Sequence, residues 1–254
     1  MNAENTWVYV WNLTADKVGH TAIQIGGCTP KTKLDNKDIK KTPDESVYIS
    51  IHPGGIPAIG PTTVLPLPAI LAKSLTDDML SEAAAAQQPT YIHNSTQRVE
   101  LQPPDQVFQI PLLNTQAMRE HVRKVDTGVT CGDTSYQLLP RVKAVNFLRE
   151  LPGYLAQDPV DMSCMRKTVS SLAKKNKEKS EYAVYNCATL VEKLLTIGGV
   201  PPIDDSRLRF PWDPTPNGVA EHLKALSFQA SSLADSHSWS KNSSEGGCDR
   251  LDNK

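Results

Sequence analysis

The sequence predicts an α+β protein in which a small antiparallel sheet packs against helices. Two stretches near the N-terminus, residues 6–13 and 18–25, alternate in polarity and are rich in β-branched and aromatic side chains, as strands are. In the second half, residues 182–197 carry apolar side chains at the spacing of an amphipathic helix. Early strands followed by later helices favour the α+β class over a regular alternation of the two.

Three strands open the predicted sheet. Residues 6–13 and 18–25 form a hairpin, and residues 47–51 form the third strand. This strand ends at His52-Pro53-Gly54-Gly55, because proline and glycine do not extend a ladder. The polar residues 29–45 between the second and third strands are interpreted as a loop or an insertion.

The elements that follow are predicted mostly as helices. Residues 76–88 have Thr76 as a candidate N-cap, acids in the first turn and Pro89 as a stop. Residues 99–112 indicate one or two further strands. Helical spacing recurs in four stretches, the last of them capped by Thr215 with Pro216 at its first position: residues 115–125, 138–151, 164–173 and 219–226.

The helix within residues 182–197 has the clearest pattern. Its apolar stripe, at positions i, i+3, i+4, i+7 and i+8, consists of Cys187, Leu190, Val191, Leu194 and Leu195. Asn186 is the natural N-cap, and Gly198-Gly199 end the helix. Cys187 therefore lies in the first turn, where unpaired N–H groups and the positive end of the helix dipole favour a thiolate.

Composition and charge exclude several functional classes. The chain has 254 residues, and 27 lysines and arginines against 28 acids give a net charge of −1, so no basic field attracts nucleic acid. The longest weakly polar run, residues 64–72, contains two prolines and falls short of the roughly 20 apolar residues of a membrane span. Residues 229–254 are polar and predict a flexible tail.

Location and redox state are predicted from what the sequence lacks. The first residues have no secretory signal pattern, which predicts a cytoplasmic protein and leaves export by a route without such a peptide open. The five cysteines are irregularly spaced, which argues against a disulfide framework and a structural zinc site. No cofactor and no metal are expected.

Two side chains remain as candidates for chemistry. Cys187 begins a helix, and His20 follows Gly19 at the start of a strand; together they could form a nucleophile and its base. Each also has a plain structural interpretation, Cys187 as a small core residue and His20 as a histidine bonded to backbone. The adjacent acids Asp77-Asp78 and Asp204-Asp205 are interpreted as capping or turn residues.

The order of three segments resembles a known superfamily. They are Gly19-His20 with the alternating residues up to Ile25, the strand that ends at Pro53, and the later YNCATLVEKLL of residues 185–195. This order resembles the circularly permuted papain-like cysteine enzymes, which include the lecithin:retinol acyltransferase group and bacterial relatives of the NlpC type. In the permuted members the histidine strand precedes the cysteine helix, as it does here.

The resemblance implies a papain-like catalytic domain over residues 1–228, with a large insertion around residues 54–180. It implies Cys187 as the nucleophile, His20 as the base and a third polar residue that orients His20 from the next strand. His52 matches that residue by type and Ser50 by its distance from Pro53; both lie on one face of the strand, and His52 is preferred. Asn186 caps the helix, and the N–H of Cys187 would stabilise the oxyanion.

The resulting hypothesis is a cysteine-dependent hydrolase or acyltransferase, such as a thiol protease, that acts on an amide, ester or thioester through an acyl-enzyme. A protein or peptide is the expected substrate, with an acyl lipid as a second option, and family analogy suggests a bacterial effector. The alternative is a non-catalytic protein-binding module in which Cys187 is packing. A less favoured hypothesis places a metal between His20, His52 and Cys187.

Overall fold

A computed structural model shows one mixed sheet with helices on both faces, so the α+β prediction is confirmed. The structure describes residues 4–15, 17–27, 46–55, 63–86, 101–140, 183–204, 208, 213–228 and 230–231. The predicted helix at 164–173 lies outside the described residues. The predicted helix at 138–151 lies outside them from residue 141 onward. No helix among the described residues is long and apolar enough to cross a membrane.

Eight strands of the described residues form the sheet, in the spatial order β7-β6-β4-β3-β2-β1-β5-β8. All described pairs are antiparallel except β6 with β7. The strands are β1 (Asn5–Trp11), β2 (His20–Ile25), β3 (Val47–Pro53), β4 (Leu67–Ala72), β5 (Gln106–Pro111), β6 (Thr134–Tyr136), β7 (Ala183–Tyr185) and β8 (Ala230–Ser231).

Four helices cover the sheet in the described part of the chain: α1 (Leu75–Ala86), α2 (Thr115–Cys131), α3 (Cys187–Gly198) and α4 (Pro216–Ala225). One face of β1 and β2 packs with α1 through an aromatic cluster that contains Trp7, Tyr9 and Trp11. The other face packs with α2, α3 and α4 in the larger core. Helices on both faces explain why β2 is buried along its whole length.

The sheet opens between β2 and β3 at one end. The ladder between them joins Ile23 to Ile49, Gln24 to Tyr48 and Ile25 to Val47. Beyond it, His20 pairs with Trp11 of β1, whereas His52 pairs with Ile70 of β4. We call this end of the two strands the β2–β3 opening.

Several predicted boundaries change in the structure. Helix α1 begins at Leu75 rather than after Thr76, and Ser74 caps it because the Ser74 hydroxyl accepts the N–H of Asp77 at 3.1 Å. The prediction of Thr76 as N-cap is therefore wrong. Thr215 does cap α4, with Pro216 at its first position. Ala230 and Ser231, predicted in the tail, pair with β5, and the remaining tail residues lie outside the description.

Residues 54–180, predicted as an insertion, contribute directly to the sheet and its cover. Strands β4, β5 and β6 belong to the same sheet as the histidine strands, and α1 packs on one of its faces. The part of this segment that the structure describes is therefore integrated into the core.

Candidate functional site

Asp78 is the centre of a buried polar cluster on the α1 face of the sheet. Its Oδ1 accepts the Ser50 hydroxyl at 2.8 Å and lies 2.6 Å from Nε2 of His52. Its Oδ2 accepts the Tyr48 hydroxyl at 2.5 Å and lies 3.3 Å from Nε2 of His20. Asp78 is fully buried, and the two histidines hold the pKa of its carboxyl far below the usual range, against the effect of burial.

Strand β3 supplies three of these partners because side chains at i, i+2 and i+4 share one face. Tyr48, Ser50 and His52 all point to α1, while Ile49 and Ile51 enter the larger core on the other face. The predicted placement of Ser50 and His52 on one face is thus confirmed. Both side chains hydrogen-bond Oδ1 of Asp78, and neither of them hydrogen-bonds His20.

His20 is positioned by the turn before it and by its neighbours on both sides. Gly19 has φ +72°, and a Cβ there would lie 2.7 Å from the carbonyl oxygen of Trp11, so glycine is needed. The ring of His20 stacks on that of His52, with centroids 4.3 Å apart, and tilts against Trp11 at 5.5 Å. Only 3% of His20 is exposed.

Helix α4 anchors the loop that leads to His20. The side chain of Asn217 accepts the N–H of Leu13 at 2.8 Å and donates to its carbonyl at 3.1 Å. Leu13 lies in the β1–β2 connection, close to Gly19. Two hydrogen bonds to the backbone of one residue fix this connection against α4, and the start of β2 is fixed with it.

Cys187 is held at the first turn of α3 by the predicted cap. The Asn186 side chain accepts the N–H of Thr189 at 2.7 Å, and the Thr189 hydroxyl accepts the N–H of Asn186 at 2.9 Å, a reciprocal capping box. Asn186 also donates to the carbonyl of Leu138 at 3.2 Å, which ties the helix start to the end of β6. These bonds leave the N–H groups of Cys187 and Ala188 to point beyond the helix end.

The structure brings Cys187 and His20 together at the β2–β3 opening. The pKa of His20 is raised well above 6.5: burial lowers it, and the negative charges of Asp78 and Cys187 more than offset this effect. His20 therefore interacts with an acid from α1 and with a cysteine from α3, and these two helices pack in different clusters.

Burial of Cys187 fits its structural interpretation as well. Its exposed fraction is 7%, and it packs with Leu190 and Val191, as a core cysteine would. A packing role alone does not explain its electrostatic interaction with His20. The exposed Cys131 at the end of α2 provides a second free thiol in the described chain for comparison.

Two further titratable groups surround the cluster. Burial raises the pKa of Glu82 on α1, and the charges of His20, Lys17 and His52 act against this effect. Burial also raises the pKa of Tyr136 at the end of β6, and the charges of Cys187 and Glu82 raise it further. The interior at this end of the sheet is thus crowded with ionisable side chains that interact with each other.

Asp78 is the main site residue that the sequence interpretation missed. Its assignment, with Asp77, to capping or turn roles is wrong for Asp78, because the side chain is fully buried and holds two histidines. Asp77 is exposed and fits its assignment. A usable signal exists: Asp78 and Glu82 share the i, i+3, i+4, i+7 stripe with Leu75 and Met79, and acids on a buried stripe require partners.

Removal of the Asn186 cap tests whether this cap positions Cys187 at the start of α3. We expect Asn186→Ala to lower the free energy of unfolding by about 1–2 kcal/mol, since an N-cap and a buried bond to Leu138 are lost. Thr215→Ala removes the matching cap of α4 at comparable cost. Denaturation and peptide-resolved alkylation should show that only the Asn186 variant slows the reaction of Cys187; equal rates in both variants would contradict the role of the cap.

Comparisons with protein-family models, curated proteins and solved structures gave no match for this chain. Its function is therefore inferred from the geometry described above.

Proposed function

We propose that this protein is a cysteine-dependent hydrolase or acyltransferase with Cys187 as nucleophile, His20 as acid and base, and Asp78 as the group that orients His20. The observation that carries the proposal is that the buried His20 lies 3.3 Å from the carboxylate of Asp78 and interacts electrostatically with Cys187 at the start of α3. A histidine between a nucleophile and an acid is the arrangement that activates thiols and hydroxyls in acyl transfer. The resemblance to permuted papain-like enzymes supports the same assignment.

The chemistry follows from these positions. The sulfur of Cys187, in the thiolate form that a protonated His20 favours, attacks the carbonyl carbon and forms a C–S bond. The carbonyl oxygen gains the electron pair and lies near the free N–H groups at the start of α3. When the intermediate collapses, the bond to the leaving nitrogen or oxygen breaks, and His20 gives its proton to that group.

The second half of the reaction releases the acyl group. A water molecule, or an acceptor amine or hydroxyl, attacks the thioester carbonyl while His20 removes its proton. The C–S bond then breaks, and the sulfur returns as a thiolate beside a protonated His20. Asp78 keeps one side of the ring fixed and stabilises the imidazolium throughout, because its carboxylate remains ionised.

The thiol of Cys187 is expected to react faster than that of Cys131. The exposed Cys131 serves as the internal reference for alkylation by iodoacetamide at pH 6, where a thiol without an activating partner reacts slowly. We expect Cys187 to react at least about tenfold faster in the folded protein, and His20→Ala to remove this advantage while Cys131 is unaffected. Peptide mass spectrometry over a time course measures both rates in one sample.

The alternative of a non-catalytic module predicts a different result. A core cysteine would be alkylated only after denaturation, whether or not His20 is present. Such a result, in a sample whose Cys131 reacts normally, would reject the enzyme proposal. If Cys187 does react, panels of amide, ester and thioester acyl probes will identify the acyl class, with Cys187→Ser as the inactive control.

A further inference from the structure

The cluster around Asp78 offers three metal donor atoms at short range. One ring nitrogen each of His20 and His52 and a carboxylate oxygen of Asp78 all lie within 4.8 Å of one another, and the Nε2 atoms lie 3.3 and 2.6 Å from the Asp78 oxygens. The three side chains come from β2, β3 and α1, and each is fixed by other contacts, so the donors already converge. Convergent donors on rigid elements lower the cost of organising a site.

One of these donors has no aligned hydrogen-bond partner. Nε2 of His20 is buried, lies 3.3 Å from Oδ2 of Asp78 and makes no hydrogen bond within the described structure. An orphaned ring nitrogen in a buried site is costly, because burial removes its water without a replacement. The same nitrogen lies beside the carboxylate that His52 also contacts, so its lone pair would face the cluster once an ion displaces the proton.

We propose that His20, His52 and Asp78 form a binding site for a divalent transition-metal ion, with Zn²⁺ as its best-suited occupant. Two imidazoles and one carboxylate form a donor set that suits Zn²⁺, with a water molecule in the fourth position. Mg²⁺ and Ca²⁺ prefer oxygen ligands and fit a set with two nitrogens poorly. The bound ion would replace the protons that now lie between the rings and the carboxylate.

The structure also provides an entry path. The side chain of His52 is 20% exposed, in contrast to the fully buried Asp78. A cleft of about 400 Å³ opens beside it, lined by His52 and by residues of β4 and α1 that include Ile70, Asp77 and Ser81. An ion can approach His52 from this cleft before it reaches the deeper donors.

This donor set differs from the hypothesis drawn from the sequence, which joined His20 and His52 to Cys187. The group of donors within range contains Asp78 and does not include the sulfur. The difference is measurable, because a thiolate ligand gives bound Co²⁺ an intense sulfur-to-metal charge-transfer band, whereas nitrogen and oxygen ligands give only the weaker d–d absorption.

Metal binding is best measured on the full chain carrying Cys187→Ser, since this variant separates the metal site from the proposed thiol chemistry. After removal of metals with a chelator, calorimetry with ZnCl₂ should show one ion per chain. We expect His52→Ala in this background to weaken binding at least tenfold, the scale seen when even outer-shell partners of a metal are lost. His222→Ala, which changes a half-buried histidine on α4 outside the cluster, should leave it unchanged.

Three results would overturn the metal site: no saturable Zn²⁺ binding, equal affinity in His52→Ala and His222→Ala, or equal affinity for Mg²⁺. His52→Ala removes a 2.6 Å contact of the buried Asp78, so far-UV circular dichroism is used to confirm that the variant is folded before its affinity is compared. Co²⁺ titration of the chain with Cys187 intact should give d–d absorption without the charge-transfer band. An intense band would assign the ion to the sulfur instead.

Binding of Zn²⁺ to this site should affect the alkylation of Cys187, and this expectation rests on the proposed function. An ion bound to Nε2 would take His20 out of proton transfer, so Zn²⁺ should slow alkylation of Cys187 in the otherwise native chain and much less so in His52→Ala. If Zn²⁺ binds the Cys187→Ser protein but Cys187 shows no enhanced reactivity in the absence of metal, the metal site stands and the enzyme proposal fails. The opposite combination rejects the metal site alone.

Discussion

Asp78→Asn is expected to lower the free energy of unfolding by about 3–5 kcal/mol, the range measured when one member of a buried ion pair is removed. The carboxylate that accepts four polar contacts disappears, and the Nδ2 of asparagine would face donors from Tyr48 or His52. His20 would also lose the acid whose charge raises its pKa against the effect of burial. The reactivity of Cys187 should therefore fall as well. Denaturant unfolding and alkylation rates measure the two effects.

The pH dependence of the free energy of unfolding tests whether the interaction of His20 with Asp78 stabilises the fold. The pKa of His20 is raised in the folded state, so its contribution is complete below the unfolded value of 6.5 and is lost as pH rises through the higher folded pKa. In chelator-treated protein, we therefore expect stability to decline above about pH 6.5. Asp78→Asn should flatten this decline, because Asp78 is the largest cause of the raised pKa.

Asp77→Asn is the matched control, since Asp77 is the exposed neighbour of Asp78 in the same turn of α1. Its effect should remain within about 0.5 kcal/mol, as for most surface substitutions. Equal losses in the two variants would show that charge in the first turn of α1, rather than the buried cluster, accounts for the result.

Gly19→Ala is expected to destabilise the protein by about 2–5 kcal/mol and to displace His20. The residue has φ +72°, which costs an alanine roughly 1–2 kcal/mol. The added Cβ would also lie 2.6 Å from the nitrogen of Leu13 and 2.7 Å from the oxygen of Trp11, so backbone must shift. Unfolding experiments and the alkylation rate of Cys187 report the two consequences.

Gly132→Ala is the control that separates the cost of a positive φ from the cost of the steric contacts at Gly19. Gly132 caps α2 with φ +76°, nearly the same backbone conformation, and a Cβ there meets nothing within 4 Å. This variant should therefore show the conformational cost alone, about 1–2 kcal/mol, with Cys187 fully reactive. Equal destabilisation in the two variants would mean that the contacts of Gly19 with Trp11 and Leu13 are unimportant.

Local chemistry made part of the site predictable. The cap at Asn186 depends on one side chain and the next three residues, and the strand start at Gly19-His20 depends on a glycine conformation, so both are visible in the sequence. Period-2 geometry likewise predicted that Ser50 and His52 share a face. The α+β class followed from the same short-range patterns.

What the sequence did not reveal depends on long-range packing. Asp78 lies 58 positions after His20, and nothing between them specifies that α1 crosses the sheet at β2 and β3. The integration of β4, β5 and β6 into one sheet is likewise a matter of tertiary pairing. An acid on a helix's buried stripe was the available signal, and it indicates only that a partner is required, without identifying the partner.

The integration of the middle segment into the sheet has a consequence for how the chain can be shortened. Joining Gly54 directly to Ala183 would remove α1 and with it Asp78, the carboxylate 3.3 Å from His20. The same deletion would remove β4, β5 and β6 from the sheet and the α2 side chains from the larger core. A shortened chain would therefore lose its packing together with the buried acid, so this segment is not a dispensable addition.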